Sequence, residues 1–547
     1  MLMPAAVAKE LIAEYDRLAA ERAPWESQWR DLAEYILPDR DPTDPPGSRT
    51  MGRVFDSTAI WCNEVFAAGM HALLTSPYMR FFAYETEDSR INRIPAVRQW
   101  LDETSEAIYA VFANPLTGWM TATDQLYLDE GALGTAVMSI LDSPRNTISF
   151  ATRHLMECCI AENDEGEVDT LYRKWEWTAK QAVQHWGDRA PAKVREAYDK
   201  QPGKKLCFLH AVKPRIDRDP QRYDSRNKPF LSCYVSLEDQ AIIEESGFDE
   251  FPYVVPRLRK RSGEVWGRSC GWTALPDIKQ LNTMDKTIVK SAQKIVDPPL
   301  QVPDDGFMSP IRTLPGGLNY YRQGSTDRIE PILTGGDVRL GLDMLTAKQR
   351  RIAQIFYVDL LTMVLNPEDP SSAGKGVTAT WVLHWRDQAM QRMSPILARM
   401  QQEFLGRGIP RVARLLARRG LIRPPPEEIM RSRLRLQYVS PIALMQRATE
   451  MEAIDRWSAQ VAALSQFDPL ASQLIDAEAA GRLYAERLNV PQGIIRTVVD
   501  MQERRRQLAQ AQIEQAGIAQ AGQIAGIANE AGGAAKDFAA AMGREAA

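Results

Sequence analysis

The chain has 547 residues, 44% hydrophobic and 25% charged, which excludes a wholly disordered or collagen-like protein. Lys plus Arg number 67 against 71 Asp plus Glu, and the formal charge of −4 weighs against a protein that coats nucleic acid generically. Six scattered cysteines with no CxxC pair and only five histidines exclude a disulfide framework and argue against a Cys/His zinc site.

The first residues, MLMPAAVAKELIAEYDRL, are interrupted by Lys9, Glu10 and Glu14, so no signal-peptide core is expected. No apolar window approaches 18 residues, so no membrane span is expected, and the protein is placed in the cytoplasm where it is made. Residues 5–37 read as helical, because Leu11, Tyr15, Leu18, Trp25, Trp29, Leu32 and Ile36 recur every three to four positions. Pro24 is expected to divide this stretch into two helices. Asp56-Ser57-Thr58 offers an N-cap for an apolar helix over 59–74, with Ala67, Ala68, Gly69 and Ala72 permitting close packing. A short strand over 81–85 and helices over 94–112 and 120–133 follow. Strand patterning then dominates at 136–141, 147–152, 170–177, 206–212, 230–236 and 253–257, making residues 1–270 mixed α plus β.

Past Pro276 the pattern changes. Residues 277–296 read as one helix, ended by Asp297-Pro298-Pro299. A turn-rich module of roughly 35 residues follows, and Gly335-Gly336-Asp337 opens a second helix to about Leu361. The two helices are expected to lie side by side with the module at one end. Residues 366–376, NPEDPSSAGKG, read as a flexible loop. A long helix is expected from Thr378 towards Arg419, bent at Pro410. Pro424-Pro425-Pro426 breaks the chain, and 440–467 and 471–488 read as helical. From Arg496 the sequence is Ala- and Gln-rich. It favours helix but has little apolar bulk to bury, so it is either disordered or packed against copies of itself.

Catalytic signals are sparse. There is no GxSxG elbow and no HExxH. Gly374-Lys375 fails as a P-loop, because Asp369 stands at the required glycine and Gly376 at the magnesium-binding Ser or Thr. ATP-driven work would therefore fall to a partner. The acid pairs Asp129-Glu130, Glu244-Glu245 and Asp304-Asp305 read as solvated surface, and His71, Trp25 and Trp29 as core. Arg407, Arg411, Arg414 and Arg418, spaced four, three and four, share one helical face, and residues 407–435 hold nine Arg and two Glu. This stripe either binds phosphates or a partner, or pairs with acids on a neighbouring element; pairing is the favoured reading. Of Lys348, Arg350 and Arg351, only Lys348 and Arg351 share a face, and Lys286, Lys290 and Lys294 form a lysine edge on the preceding helix.

The order of segments over roughly 20–420 resembles the portal (head-to-tail connector) proteins of short-tailed bacteriophages, the podoviruses. The resemblance is carried by Trp25, Trp29, Ile36-Leu37-Pro38, Phe55-Asp56-Ser57-Thr58, Ala67-Ala68-Gly69-Met70-His71 and Leu74-Thr75-Ser76-Pro77. It continues through Asp129–Thr135 with its Gly-x-x-Gly-Thr element and Gly263-Glu264-Val265-Trp266-Gly267-Arg268. Pro276–Asn282, Asp297-Pro298-Pro299-Leu300 and Thr378-Ala379-Thr380 complete it. Trp266 and Trp381 depart from the pattern, which has Tyr and Glu there.

The resemblance implies an α+β, mainly helical portal fold in a ring of about twelve subunits at one capsid vertex. It divides the chain into a wing (1–275), a first stem helix (276–296), a clip (297–335), a second stem helix (336–361) and a tunnel loop (362–377). A long wing helix with a basic connector (378–436) and a crown (437–547), whose Ala/Gln-rich tail would form a helical barrel, complete it. The implied function is conduction without catalysis, metal or cofactor. Double-stranded DNA is packaged through the ring by a terminase and later ejected. Capsid, scaffolding, tail-adaptor and internal core proteins are the other partners, in the host cytoplasm during assembly and then in the virion. Lys375, Asn366, Ser371, Ser372, Lys348 and Arg351 are the implied channel residues. Asp304, Asp305, Arg312, Arg322 and Arg328 are the implied terminase or tail-adaptor contacts. Two other readings stay open: an enzyme acting on nucleic acid or phosphoesters through the Arg407–Arg435 stretch, and a helical scaffold or adaptor.

Overall fold

The N-terminal helical periodicity continues through Pro24, and Pro4–Ile36 forms a single helix, α1. A proline inside a helix removes one hydrogen bond and costs about 3 kcal/mol. The helix survives because both halves of its apolar stripe are buried: Leu11, Tyr15 and Leu18 before Pro24, and Trp29, Leu32 and Ile36 after it. Arg22 also pairs with Glu26 across the proline at 2.7 Å and donates to the carbonyl of Cys158. The expected division into two helices is thereby corrected.

The computed structural model describes residues 4–38, 54–77, 79–88, 90–222, 224–301, 330–331, 338–365, 391–430, 432–438, 454–464 and 500–511, with isolated positions between 474 and 485. Two compact units are present. The larger takes in residues 1–85, 101–425 and 434–440; the smaller takes in 86–100, 426–433 and 441–547.

The larger unit is built on a five-stranded antiparallel meander: β4 (Cys158–Glu162), β5 (Val168–Thr178), β6 (Lys205–Pro214), β7 (Phe230–Ser236) and β8 (Ala241–Phe248), in that order. Alternate side chains point to opposite faces. Tyr172, Leu209, Ala211, Cys233 and Val235 meet Ala8, Leu11, Tyr15 and Leu18 of α1 on one face. Trp175, Leu206 and Phe208 meet α5 (Ala179–Trp186) and α6 (Ala192–Lys200) on the other, through Ala182, Trp186 and Val194. α5 starts with a capping box between Thr178 and Gln181.

A second layer holds α2 (Thr58–Leu74), α4 (Trp119–Leu133) and a three-stranded sheet. In that sheet β2 (Val137–Ser143) lies between β3 (Thr147–Arg153) and β9 (Tyr253–Val254). Its core is aromatic: Trp119 packs on Phe112 at 4.2 Å, on Phe150 at 4.9 Å and on Phe404 at 5.6 Å between ring centroids. Phe112 belongs to α3 (Pro95–Ala113), and Phe82 beside it to β1 (Phe82–Thr86), which pairs with β12 (Leu434–Tyr438). Asp129 and Glu130, expected on the solvated surface, are both buried in α4. Apolar neighbours at Leu126, Tyr127, Ala132 and Leu133 turn the second half of this helix into the core and carry the acids with it.

In the smaller unit Asn92 ties down Thr86, accepting from its backbone N–H and its hydroxyl at 2.9 and 2.7 Å. Residues 454–464 and 500–511 are helical, and the Tyr484 hydroxyl donates to Asp455. Among the described residues no helix is long and apolar enough to cross a membrane.

Candidate functional site

The feature that stands out from this core is a helical hairpin. α7 runs from Cys270 to Val296, so it begins before the expected Asp277. Ser269 caps it by accepting from the Trp272 N–H at 2.8 Å. Pro276 is tolerated inside it because Cys270, Ala274, Leu275 and Ile278 are buried on either side. α8 (Val338–Ile355) returns antiparallel to it. Near the base, Lys348 Nζ donates to the Asp277 carboxylate at 2.6 Å, and Arg351 Nε is paired with the same carboxylate at 3.2 Å. Further out Gly341 lies against Ile288, where an added Cβ would come within 3.2 Å of it. Beyond the helices, β10 (Leu300–Gln301) pairs with β11 (Glu330–Pro331), so the chain leaves the hairpin and re-enters it side by side.

The hairpin is seated on α2 by one polar clamp. Asn282 Oδ1 accepts the backbone N–H groups of Phe55 and Asp56, at 2.7 and 3.1 Å. Asp56 in turn accepts from the Thr58 N–H at the start of α2 and from Gln349 of α8, at 2.7 and 2.8 Å. Lys286 lies over the Phe55 ring at 4.8 Å.

The expected helix to Leu361 is interrupted. α8 stops at Ile355, Tyr357 takes a left-handed φ of 60°, and α9 (Val358–Leu365) starts afresh. Arg259 holds the bend by donating to the Tyr357 hydroxyl and lying over its ring. The long helix also departs from expectation. Residues 391–400 are helical, but Gln401–Leu405 form a π turn before α10 (Gly406–Arg418) resumes, upstream of Pro410. Tyr438 donates to the Gln401 carbonyl at this turn, at 3.0 Å.

The arginine face on α10 is turned to acids of neighbouring elements. Arg407 pairs with Glu167 and donates to the Val168 carbonyl. Arg411, only 3% exposed, donates to the carbonyls of Ile140 and Glu250 and pairs with the Glu250 carboxylate at 3.3 Å. Burial is the main cause that pushes its pKa down to about 10. Arg418 pairs with Asp249 at 2.9 Å and Glu250 at 3.0 Å, and Arg414 lies 3.9 Å from Glu250. These side chains bolt α10 to the two sheets.

Two sequence elements widely separated in the chain meet in one junction. Gly134 ends α4 with φ 88°, and an added Cβ there would lie 2.5 Å from the Arg268 backbone. The Gly267 N–H donates to Thr135 Oγ1 at 2.8 Å. Glu264 pairs with Arg268, whose guanidinium covers Trp25 and Trp272, and Trp266 packs edge-on against Trp29 at 4.8 Å. Arg257, fully buried, pairs with Glu162 and Glu403 beside them.

The sequence profile of the family described as bacteriophage head to tail connecting protein matches residues 8–495. The chain belongs to this family. It is also similar to a probable portal protein of Bordetella phage BPP-1, 29% identical over 89% of this chain and 88% of that one. A portal protein of Salmonella phage epsilon15 is 26% identical over 94% and 92%. The connector's role is thus that of a phage portal protein, joining head to tail.

Within this connector the structure brings Lys348 and Arg351 together on one carboxylate and sets Arg407, Arg411, Arg414 and Arg418 in ion pairs. Asn366, Ser371, Ser372, Lys375, Asp304, Asp305, Arg312, Arg322 and Arg328 lie outside the described residues. Among the described residues no group of three or more His, Cys, Asp and Glu side chains is placed to hold a metal ion. Arg257, Glu403, Tyr357 and Arg259 were not singled out by sequence reasoning. The nearest signal was the Gly-x-x-Gly-Thr and Gly-Glu-aromatic-Gly-Arg pair, whose glycines mark the close approach that Arg257 braces.

Proposed function

We propose that this connector assembles as a closed ring of about twelve chains at one capsid vertex, through which double-stranded DNA is packaged and later released. The observation that carries this reading is the α7–α8 hairpin, clamped at its base by Asn282 and by Asp277 and closed at its far end by the pairing of β10 with β11. In this reading α7 and α8 are the stem and 297–335 is the clip, offering Asp304, Asp305, Arg312, Arg322 and Arg328 to the packaging ATPase and afterwards to tail adaptors. Residues 1–275 with the arginine-bolted α10 are the wing. Residues 362–377 are the loop towards the channel, where Lys375, with Asn366, Ser371 and Ser372, touches the DNA backbone. The segment after 437 is the crown, and its Ala/Gln-rich tail gains packing partners from neighbouring copies.

A conduit must hold DNA weakly, since each phosphate neutralised adds to affinity and would slow sliding. The formal charge of −4 suits that need. So does the pairing of Lys348 and Arg351 with Asp277, which leaves the stem base less positive than its cations alone suggest. The phosphate-enzyme reading loses its main support, because the stripe arginines are engaged with Glu167, Asp249 and Glu250.

Electron microscopy of the purified chain with light scattering for mass tests the ring. End-on rings of about 740 kDa, twelve chains of 61.6 kDa, are expected. A chain that stays single when concentrated with scaffolding protein overturns it. Lys375→Ala should leave the ring intact and reduce DNA packaging or retention; unchanged packaging and retention would remove Lys375 from the account.

A further inference from the structure

Glu130 sits in the last turn of α4, fully buried, and neither of its carboxylate oxygens has a hydrogen-bond partner. A buried charge without a partner is among the costliest arrangements in a fold. The surroundings offer no relief. On α4 itself its ionisable neighbours are Asp129 and Tyr127; from the π turn the Glu403 carboxylate acts on it. From the start of α7 comes the Cys270 thiol, with Arg259 as the cation acting on that thiol. Arg259 is itself engaged with the Tyr357 hydroxyl. From α2 the buried amide of Asn63 lies against the adjoining Gly131, and its Oδ1 is likewise without a partner. Arg399 pairs with Glu403 at 3.2 Å.

The strongest cation of this junction is Arg257, and it is fully used. Its Nε and Nη2 donate to Glu403, its Nη1 to Glu162 and the Val265 carbonyl, and its Nη2 also to the Gly166 carbonyl. A guanidinium has five N–H bonds, and these five contacts occupy them all.

We propose that Glu130 is buried as a neutral carboxylic acid, so that its proton is the condition on which the end of α4 packs against the Gln401–Leu405 turn. Burial, and then the negative charges of Glu403 and Asp129, hold its carboxyl well above the ordinary carboxylate range. The unfolded chain releases this proton near the ordinary value of about 4.3. The native chain keeps it to higher pH. Folding therefore takes up a proton in that interval, and stability falls as pH rises through it. Glu130 thus acts as a proton lock on the junction of α4, α7 and the π turn, and it stands apart from the ring reading because it concerns the fold of each chain.

The test compares denaturant unfolding of the full chain and of Glu130→Gln from pH 5 to 9. An amide cannot ionise, so any fixed cost of burying it is the same at every pH. The unfolding constant of the wild-type chain relative to Glu130→Gln should rise tenfold per pH unit, equivalent to 1.4 kcal/mol, until the native proton is lost. Hydrogen exchange across 126–136 should accelerate beyond the chemical rate at alkaline pH in the wild type alone. Parallel pH profiles overturn the proposal. If Glu130→Gln does not fold, the infrared spectrum of the unsubstituted chain decides. A carbonyl band from a protonated carboxyl that persists at neutral pH supports the lock, and absence of that band overturns it.

Discussion

Arg257 shows how a single side chain holds distant segments together. It reaches Glu162 at the end of β4, the turn at Gly166, the Val265 carbonyl and Glu403 in the π turn. Removing one member of a buried ion pair leaves the other charged and unpaired, which costs about 3–5 kcal/mol. Arg257→Met should therefore lower stability by about that amount in denaturant titrations, whereas Arg17→Met, whose pair with Glu21 is exposed, should change it by less than about 1 kcal/mol. A similar loss in both variants would show that burial does not set the difference. His210 gives a residue-scale prediction with the opposite pH sense to Glu130. It is buried between Tyr253 and Ser232, at 2.9 and 3.0 Å, and stacked on Tyr234 at 4.1 Å. Burial, with Arg173 and Arg153 nearby, pushes its pKa down to about 3. The unfolded imidazole takes a proton near 6.5 while the native one refuses it, so stability is present above about pH 6.5 and is lost as pH falls towards about 3. His210→Gln should flatten the acid limb of the stability profile relative to wild type; an unchanged limb would mean that other groups carry it.

At the scale of elements, close contacts decide how helices meet. Gly69 of α2 faces Leu361 of α9, and an added Cβ would fall 2.6 Å from Leu361 Cδ2. Gly69→Ala should push α9 away at a cost of about 1–3 kcal/mol, read as faster hydrogen exchange in 358–362. Adding Leu361→Ala should make the two changes less than additive, because the clash is then gone; full additivity would show that the contact is not what couples them. Much at this scale was legible. The side-by-side hairpin followed from two helical patterns bracketing a proline- and glycine-rich stretch. Three strands of the meander, β5, β6 and β7, followed from β-branched and aromatic runs, whereas β4, β8 and the strand order did not. Pro24 and Pro276 misled because burial on both sides outweighs one lost hydrogen bond. The break at Tyr357 and the π turn were not legible. The break at Tyr357 carries no Gly or Pro, and the Gly406 that closes the π turn, whose added Cβ would lie 2.9 Å from the Gln401 carbonyl oxygen, does not by itself specify such a turn. Each is held by a side chain elsewhere in the sequence, Arg259 and Tyr438. The arginine face was visible in the spacing, but its acids, Glu167, Asp249 and Glu250, belong to segments over 150 residues away.

At the scale of the whole molecule the hairpin poses a problem that a single chain does not solve. Along α7, Val289 and Val296 are seven residues apart and so share a face, and they are 47% and 86% exposed. Leu342 and Met344 on α8 are about half exposed as well. Exposed apolar side chains that share one helical face, as Val289 and Val296 do, are the kind of surface that marks a contact with another molecule. In the proposed ring, rotational symmetry gives the hairpin of every chain the same two neighbours, so a patch on one side is covered by the next copy all the way round. A charge placed there should oppose assembly without touching the core, since these side chains are not buried in the chain itself. Val289→Glu with Val296→Glu should shift the light-scattering mass from ring to single chains, while circular dichroism and the melting temperature of the single chain stay as in wild type. Rings that still form in the doubly substituted protein would move the contact between copies away from the hairpin and leave the ring reading in place. Loss of the helical signal would instead show that these valines support the fold of one chain.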